Sequence, residues 1–248
     1  MSGIKKHEVV NDLLGYNGLK IIQRPDMFNF SLDSTLLADF ALTPMKVKTI
    51  VDFGTGNGAI PLFLSLKTDA KMIGFEIQAS VADMAKRSVQ LNKLEHQITI
   101  IQADIKDVAD YVKTNHVDLV TCNPPFFKYK AGANINESTF KTIARHEVAI
   151  TLETIVSMAR MVLNNKGRFV LVHRAERLEE VVTVLEKHRF ALKRMRFVHP
   201  RHNKEANMVL IDAMKEGGKG LRIHPPLIVH ENDGYSDEVN AIFRYGST

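Results

Sequence analysis

The sequence holds one cysteine, no tryptophan and no long apolar run, and each shortage closes off a class of protein. With Cys122 alone, no intramolecular disulfide can form and a cysteine-rich metal site is excluded. A reducing cytosol is the natural setting, so a cytoplasmic location is expected. No stretch approaches the roughly 18 apolar residues of a membrane span, and no membrane role is expected. The opening residues, MSGIKKHEVV, begin basic but lack the apolar segment of a secretory signal. Internal repeats, low-complexity tracts and long linkers are also missing.

What remains is 248 residues, 45% hydrophobic and 25% charged, the balance of one large α/β domain with at most a small appendage. The formal net charge of +5 permits a nucleic-acid partner without requiring one. Its distribution is uneven. From Lys187 to Lys204 there are seven Lys or Arg, three His and no acid. Several of these would simply alternate outward on a strand, since a charge run is usually a solvated face.

Residues 1–47 show no clear strand-helix alternation, apart from a short strand at 19–23, a turn at Arg24-Pro25-Asp26 and a helix over about 33–41. From Lys48 a rhythm sets in. Strands are expected at 48–53, 71–76, 97–102, 117–122 and 167–173, and helices at 59–66, 80–92, 152–163 and 176–188. Residues 127–150 read as a long polar loop. Strands alternating with helices of this length imply βαβ units and a mostly parallel sheet. Two further strands, 191–199 and 207–214, follow with only a basic turn between them, which implies an antiparallel hairpin at the end. A last helix is expected near 237–243.

Ligands in such sheets gather at the carboxyl ends of the strands. The polar residues Asp52, Glu76, Asp104 and Asn123 all fall at expected strand ends. The first strand runs into Asp52-Phe53-Gly54-Thr55-Gly56-Asn57-Gly58-Ala59. Glycines there allow positive φ and let a ligand approach main-chain amides closely. The segment also fits the dinucleotide pattern G-x-G-x-x-A, with Glu76 about 20 residues on. However, Asp52 would repel a pyrophosphate and attract an ammonium. A ligand bearing an ammonium, a ribose and an adenine could meet Asp52, Glu76 and Asp104 in turn, and S-adenosylmethionine has those parts.

The fourth strand runs into Asn123-Pro124-Pro125-Phe126. An Asn carboxamide oxygen and a nearby main-chain carbonyl can both accept hydrogen bonds from one planar amino group. Successive prolines stiffen the backbone that carries them. The aromatic ring offers a stacking face to a flat amide or base. The bland alternative is a rigid turn with a buried Phe.

DFGTGNG, GFE, QAD and NPPF, in this order and spacing, resemble the class I S-adenosylmethionine-dependent methyltransferases that modify planar amino groups, over roughly residues 48–215. The lead-in Gly18-Leu19-Lys20-Ile21-Ile22-Gln23, then Phe30-Ser31-Leu32-Asp33-Ser34, and the later Ala144-Arg145-His146, are similar to the bacterial tRNA(Val) adenine-N6 methyltransferase family. The resemblance implies an α/β, Rossmann-like methyltransferase fold: a mostly parallel seven-stranded sheet with helices on both faces and a C-terminal antiparallel hairpin. It implies an N-terminal lead-in, 1–47, that closes the cofactor pocket, and a methyltransferase domain, 48–248.

By motif, Asp52, Gly54, Thr55, Gly56, Asn57 and Gly58 would line the methionine part of the cofactor. Glu76 and Ile77 would bind the ribose, and Asp104 with Ile105 the adenine. Phe30 and Ser31 would close the pocket, with Asn123 also reaching the cofactor. Asn123, Pro124, Pro125 and Phe126 would hold the target amine. The expected reaction is methyl transfer to N6 of an adenine in or near a tRNA anticodon loop, with S-adenosylhomocysteine as product. Arg145, His146, Arg201 and Lys204 would contact the tRNA. No metal is expected, and the oligomeric state is left open, a monomer being compatible with the reading. Sister readings are an rRNA guanine-N2 or a protein glutamine acceptor. More distant ones are an NAD-dependent oxidoreductase, which leaves NPPF unexplained, and a non-catalytic RNA-binding module. Cys122 reads as a buried strand residue, with apolar neighbours and no base to activate it.

Overall fold

The computed structural model describes residues 4–13, 18–26, 32–42, 47–124 and 151–244. The lead-in comprises strands β1 (Val9–Asp12) and β2 (Lys20–Gln23), paired antiparallel, and helix α1 (Leu32–Ala41). The main body follows the expected alternation. It runs β3 (Thr49–Phe53), α2 (Ala59–Ser65), β4 (Lys71–Glu76), α3 (Ala79–Leu91), β5 (Ile98–Gln102), α4 (Val108–Tyr111) and β6 (Val117–Cys122). After residue 150 come α5 (Leu152–Val162), β7 (Leu163–Arg174), α6 (Leu178–Lys187), β8 (Phe190–His199) and β9 (Met208–Lys215). The chain closes with the two-residue strands β10 (Arg222–Ile223), β11 (Leu227–Ile228), β12 (His230–Glu231) and β13 (Gly234–Tyr235), and α7 (Asp237–Phe243).

Seven strands form the body of the sheet in the order β8-β9-β7-β6-β3-β4-β5. β3 to β7 pair in parallel, and β9 runs antiparallel between β7 and β8. The expected count of seven is exceeded among the described residues, because β10 and β11 each add a short parallel pairing to β8, making nine. Two-residue strands carry no periodicity from which they could be read. β7 is also longer than expected. It starts at Leu163, which pairs with Val117 ahead of a bulge.

Both faces of the sheet are buried, as parallel strands require. Alternation sends Ile50, Leu119, Val170 and Leu210 to one face, where α1, α2 and α3 cover them. It sends Val51, Val120, Leu171 and Ile211 to the other, under α4, α5 and α6. The lead-in shares the first of these cores through Leu13, Ile21, Leu36 and Leu37. It is also tied to α3. Ser88 Oγ accepts from Ile22 N at 3.0 Å, and Arg87 donates to both carboxylate oxygens of Glu8 at 2.7 and 2.6 Å. That guanidinium holds the Glu8 carboxyl below its usual range.

Candidate active site

The register aligns the carboxyl ends of the parallel strands. Phe53 lies beside Phe75 on one side and Cys122 on the other, and Glu76 beside Gln102. Asp52, Glu76, Asp104 and Asn123 therefore share one edge of the sheet. Buried polar atoms are almost always hydrogen-bonded. Among the described residues seven buried side-chain atoms have no partner, and four of them lie at this edge: Asp52 Oδ2, Thr55 Oγ1, Asn57 Nδ2 and Asn123 Oδ1. Their concentration marks a site shaped for a polar ligand.

Asp52 is 1% exposed. Thr121, its cross-strand neighbour on β6, donates its hydroxyl to Oδ1 at 2.6 Å and leaves Oδ2 unpaired. Burial pushes the carboxyl up to about 7, against the pull of the Thr121 and Thr55 hydroxyls, and the nearby Glu76 charge adds to the rise. A buried acid with one bare oxygen suits a cationic partner such as an ammonium.

The loop after β3 turns on glycines with positive φ: 67° at Gly54, 58° at Gly56 and 88° at Gly58. L side chains rarely adopt these values. At Gly54 and Gly56 the space a Cβ would enter is open, so the backbone there is bare to a ligand. The loop is fixed by Thr55 N donating to Phe75 O at 2.9 Å. Gly74, in the GFE segment, now has a reason. A Cβ there would sit 2.8 Å from Thr55 Oγ1 and 2.9 Å from Ile100 Cδ1.

Glu76 is buried and pre-oriented. Oε2 accepts from Gly56 N at 3.1 Å and Oε1 from Gln78 N at 2.9 Å. Ile77, next to it, is 38% exposed, which is unusual for its type and puts an apolar surface at the rim. Asp104 starts a 3-10 turn, Ile105–Asp107, and its Oδ1 accepts from Lys106 N at 2.9 Å. Ile105 is buried beneath it. The strand-to-helix step there was expected only as an acid after a strand. The 3-10 turn and the short α4 are additions.

Asn123 leaves β6 with its Nδ2 donating to Ser34 Oγ on α1 at 3.2 Å, while Oδ1 is buried and unpaired. Pro124 is buried behind it. Ser34 and Thr121 were missed by sequence reasoning. Thr121 had a signal, as a hydroxyl two residues before Asn123 in an apolar strand. Ser34 stood in the quoted lead-in without a role, because its proximity to Asn123 is purely tertiary. Phe30, Ser31, Pro125, Phe126, Arg145 and His146 lie outside the described residues. Cys122 is buried, and burial beside Asp52 drives its thiol well above the usual range, as an inert strand residue requires.

Arg201 and Lys204 are exposed at the β8–β9 turn, as expected. The antiparallel pairing of Arg174 with Met208 puts that turn on the same edge of the sheet as Asn123. The rest of the basic run is largely committed elsewhere. Lys187 and His188 meet Glu153, Arg194 meets Asp212, Arg196 meets Glu238 and His202 meets Glu231. Arg201 itself donates to Asn232 O at 2.8 Å. Among the described residues no group of three potential ligands could hold a metal, and no helix is long and apolar enough to cross a membrane.

Comparison with known proteins gives the family and the fold. A family model described as methyltransferase small domain matches residues 19–199. A relative from Porphyromonas gingivalis, named tRNA1(Val) (adenine(37)-N6)-methyltransferase, is 28% identical over 191 residues, covering 75% of this chain and 73% of its own. A predicted O-methyltransferase from Agrobacterium tumefaciens superposes with a TM-score of 0.68 at 22% identity, over 86% of this chain and 96% of its own. Geranyl diphosphate C-methyltransferase from Streptomyces coelicolor, solved with S-adenosyl-L-homocysteine, gives 0.56 at 12% identity, over 73% and 76%.

Proposed function

On the premise that the chain belongs to the methyltransferase small domain family of S-adenosylmethionine-dependent enzymes, we propose that it methylates the N6 amine of an adenine in a tRNA anticodon loop. One observation carries the acceptor assignment: Asn123, just past the end of β6, and Asp52, on the neighbouring β3, each bury a side-chain oxygen that has no hydrogen-bond donor. One bare acceptor suits a target amine and the other a cofactor ammonium. The named relatives support adenine over guanine or a glutamine side chain, and buried Asp52 beside the glycine loop supports S-adenosylmethionine over a dinucleotide, whose pyrophosphate it would repel. A cytosolic location suits a tRNA substrate.

Asp52 and the main chain of Gly54–Gly58 would hold the amino-acid part of the cofactor, Glu76 and Ile77 the ribose, and Asp104 with Ile105 the adenine. When bound, the cofactor supplies a methyl group already activated by its sulfonium. The residues of the chain therefore position more than they activate. The exocyclic amine of adenine is a poor nucleophile, since its lone pair is delocalised into the ring. Asn123 Oδ1 accepts one of its hydrogens and the Pro124 carbonyl the other, which favours a pyramidal nitrogen with a localised lone pair. Phe126 stacks on the base, a role resting on the sequence alone. The base must leave its stack to reach this pocket, at less cost in a loop than in a duplex. The proton leaves to water after transfer, so no general base is assigned.

The test is transfer of labelled methyl from S-adenosylmethionine to tRNA lacking its native modifications, followed by nucleoside analysis. N6-methyladenosine supports the reading. Label appearing in rRNA guanine or in protein instead moves the acceptor to a sister class.

The buried acid gives a pH signature. The unfolded chain ionises Asp52 near 3.8 and the folded one near 7. Between those values the native state keeps a proton that the unfolded state has lost, so this group's contribution to stability falls as pH rises through the window and levels off above it. An ammonium against Oδ2 favours the carboxylate, so binding below pH 7 must expel that proton. Affinity for S-adenosylhomocysteine is therefore expected to weaken by up to about tenfold per unit below pH 7. Asp52→Asn should bind weakly at every pH and show a flat profile. Calorimetric titration at pH 6 and 8 checks this: equal wild-type affinities would mean that binding expels no proton, and an Asp52→Asn affinity equal to wild type would remove Asp52 from the cofactor site.

A further inference from the structure

Among the described residues the arginines divide cleanly. Arg24, Arg87, Arg160, Arg168, Arg177, Arg194 and Arg196 each meet a carboxylate. Arg189, Arg201, Arg222 and Arg244 are exposed to solvent and need no counter-charge. Arg174 is the exception: it is half-buried and makes neither an ion pair nor a side-chain hydrogen bond. Removing water from a guanidinium without a partner is unfavourable, so such a group at a functional edge points to a partner that arrives with the substrate.

Its placement says which partner. Arg174 is the last residue of β7, the strand hydrogen-bonded to β6, on which Asn123 follows. It pairs with Met208, and Val172 with Leu210. Directly paired residues share a face, and Met208, Leu210 and Val172 all belong to the core on the α1 side. Asn123 reaches Ser34 on α1, so Arg174 and Asn123 stand on the same face at the same edge. Neighbouring strands are about 4.8 Å apart. The next strands along are β9 and β8, whose turn carries exposed Lys204. Buried His173 beside it adds no second charge, since burial pushes its imidazole down to about 4.

We propose that Arg174 binds the phosphodiester adjoining the target nucleotide, and so anchors the strand from which the base is flipped. This rests on the nucleic-acid reading of the site above. A flipped base leaves its flanking phosphates on the pocket rim, and a guanidinium grips a phosphate through two parallel hydrogen bonds. From there the backbone of the substrate runs over the β8–β9 turn toward Lys204.

The experiment compares wild type with Arg174→Met, which keeps the aliphatic stem, and Arg174→Lys, which keeps the charge. Unmodified tRNA binding is measured at several salt concentrations, alongside methyl-transfer kinetics and S-adenosylhomocysteine affinity. Arg174→Met should raise the tRNA Kd and KM by about tenfold and lower the salt slope by about one, with kcat at saturating tRNA and cofactor affinity within about twofold of wild type. Arg174→Lys should recover most of the salt slope and part of the affinity. An unchanged salt slope, or cofactor affinity falling in parallel, would show a structural role and overturn the proposal. A wild type that methylates tRNA while Arg174→Met matches it in KM refutes the phosphate contact alone. A wild type that methylates protein but no RNA refutes the acceptor reading and this contact with it.

Discussion

Asn123→Ala should cut kcat by at least about 10²- to 10³-fold while leaving S-adenosylhomocysteine affinity within about twofold. The magnitude follows from what the side chain offers. Oδ1 is an acceptor already stripped of solvent and held without a partner, so it needs no reorganisation when an amine arrives. Alanine removes that acceptor and lets the amine nitrogen stay planar and conjugated. Most of the cofactor's expected contacts lie at the ends of β3, β4 and β5, so the contact expected from Asn123 is a minor part of them. Ser34→Ala is the milder companion. It frees Nδ2, so the amide can turn its donor toward the substrate, and kcat should fall by about tenfold, the worth of one hydrogen bond. Asn123→Asp keeps an acceptor and should fall between the two. Methyl transfer assayed with saturating tRNA, beside calorimetric cofactor binding, separates these effects. Collapse of cofactor affinity in Asn123→Ala would mean that the residue serves the cofactor and not the acceptor.

Much of this site was legible because its parts are local in sequence. Asp52 and Glu76 fall within a residue of a strand's end and Asp104 two residues beyond one, and apolar runs betray the strands. The glycines of residues 54–58 announce positive φ because few other residues tolerate it. Gly74 was read only as part of a motif, and the reason for it is the space taken by Thr55 from a different strand end. The hairpin at 190–215 was legible from two strands without a helix between them, and it put Arg201 and Lys204 at the exposed turn.

Other features were closed to sequence reading because they depend on tertiary neighbours. The basic run from Lys187 to Lys204 was expected to alternate outward on a strand, but which of its members find a partner was not legible. In the fold its members alternate between faces and between partners, so Arg194 turns inward to Asp212 and Phe40 while Lys204 stays in solvent. Charge along a strand is not charge on a surface. Conversely Arg174 lies outside that run, in an apolar strand with an unremarkable sequence. Its interest comes from a counter-charge it does not have, a property that only the packed structure can display.

The buried carboxylate of Asp212 should dominate stability as Asn123 dominates turnover. Asp212 is fully buried in β9. It accepts from Arg168 Nε at 2.6 Å and from Arg194 Nε at 2.7 Å, with a second, bidentate contact from Arg168. Arg194 also donates to Phe40 O at 2.8 Å, with its guanidinium 4.5 Å from the centre of the Phe40 ring. One acid thus holds β7, β8 and β9 to helix α1, the helix that brings Ser34 to Asn123. Asp212→Ala would leave two largely buried guanidiniums facing each other with nothing between them. Breaking a buried ionic cluster in this way costs about 3–5 kcal/mol, which in a chain of this size lowers the melting temperature by roughly 10 °C. A triple substitution, Asp212→Leu with Arg168→Met and Arg194→Met, replaces the whole cluster by apolar volume and should recover most of that loss. Urea and thermal unfolding of the three proteins decide the matter. If Asp212→Ala unfolds within about 1 kcal/mol of wild type, solvent reaches the cluster and the helix is held by its apolar face alone.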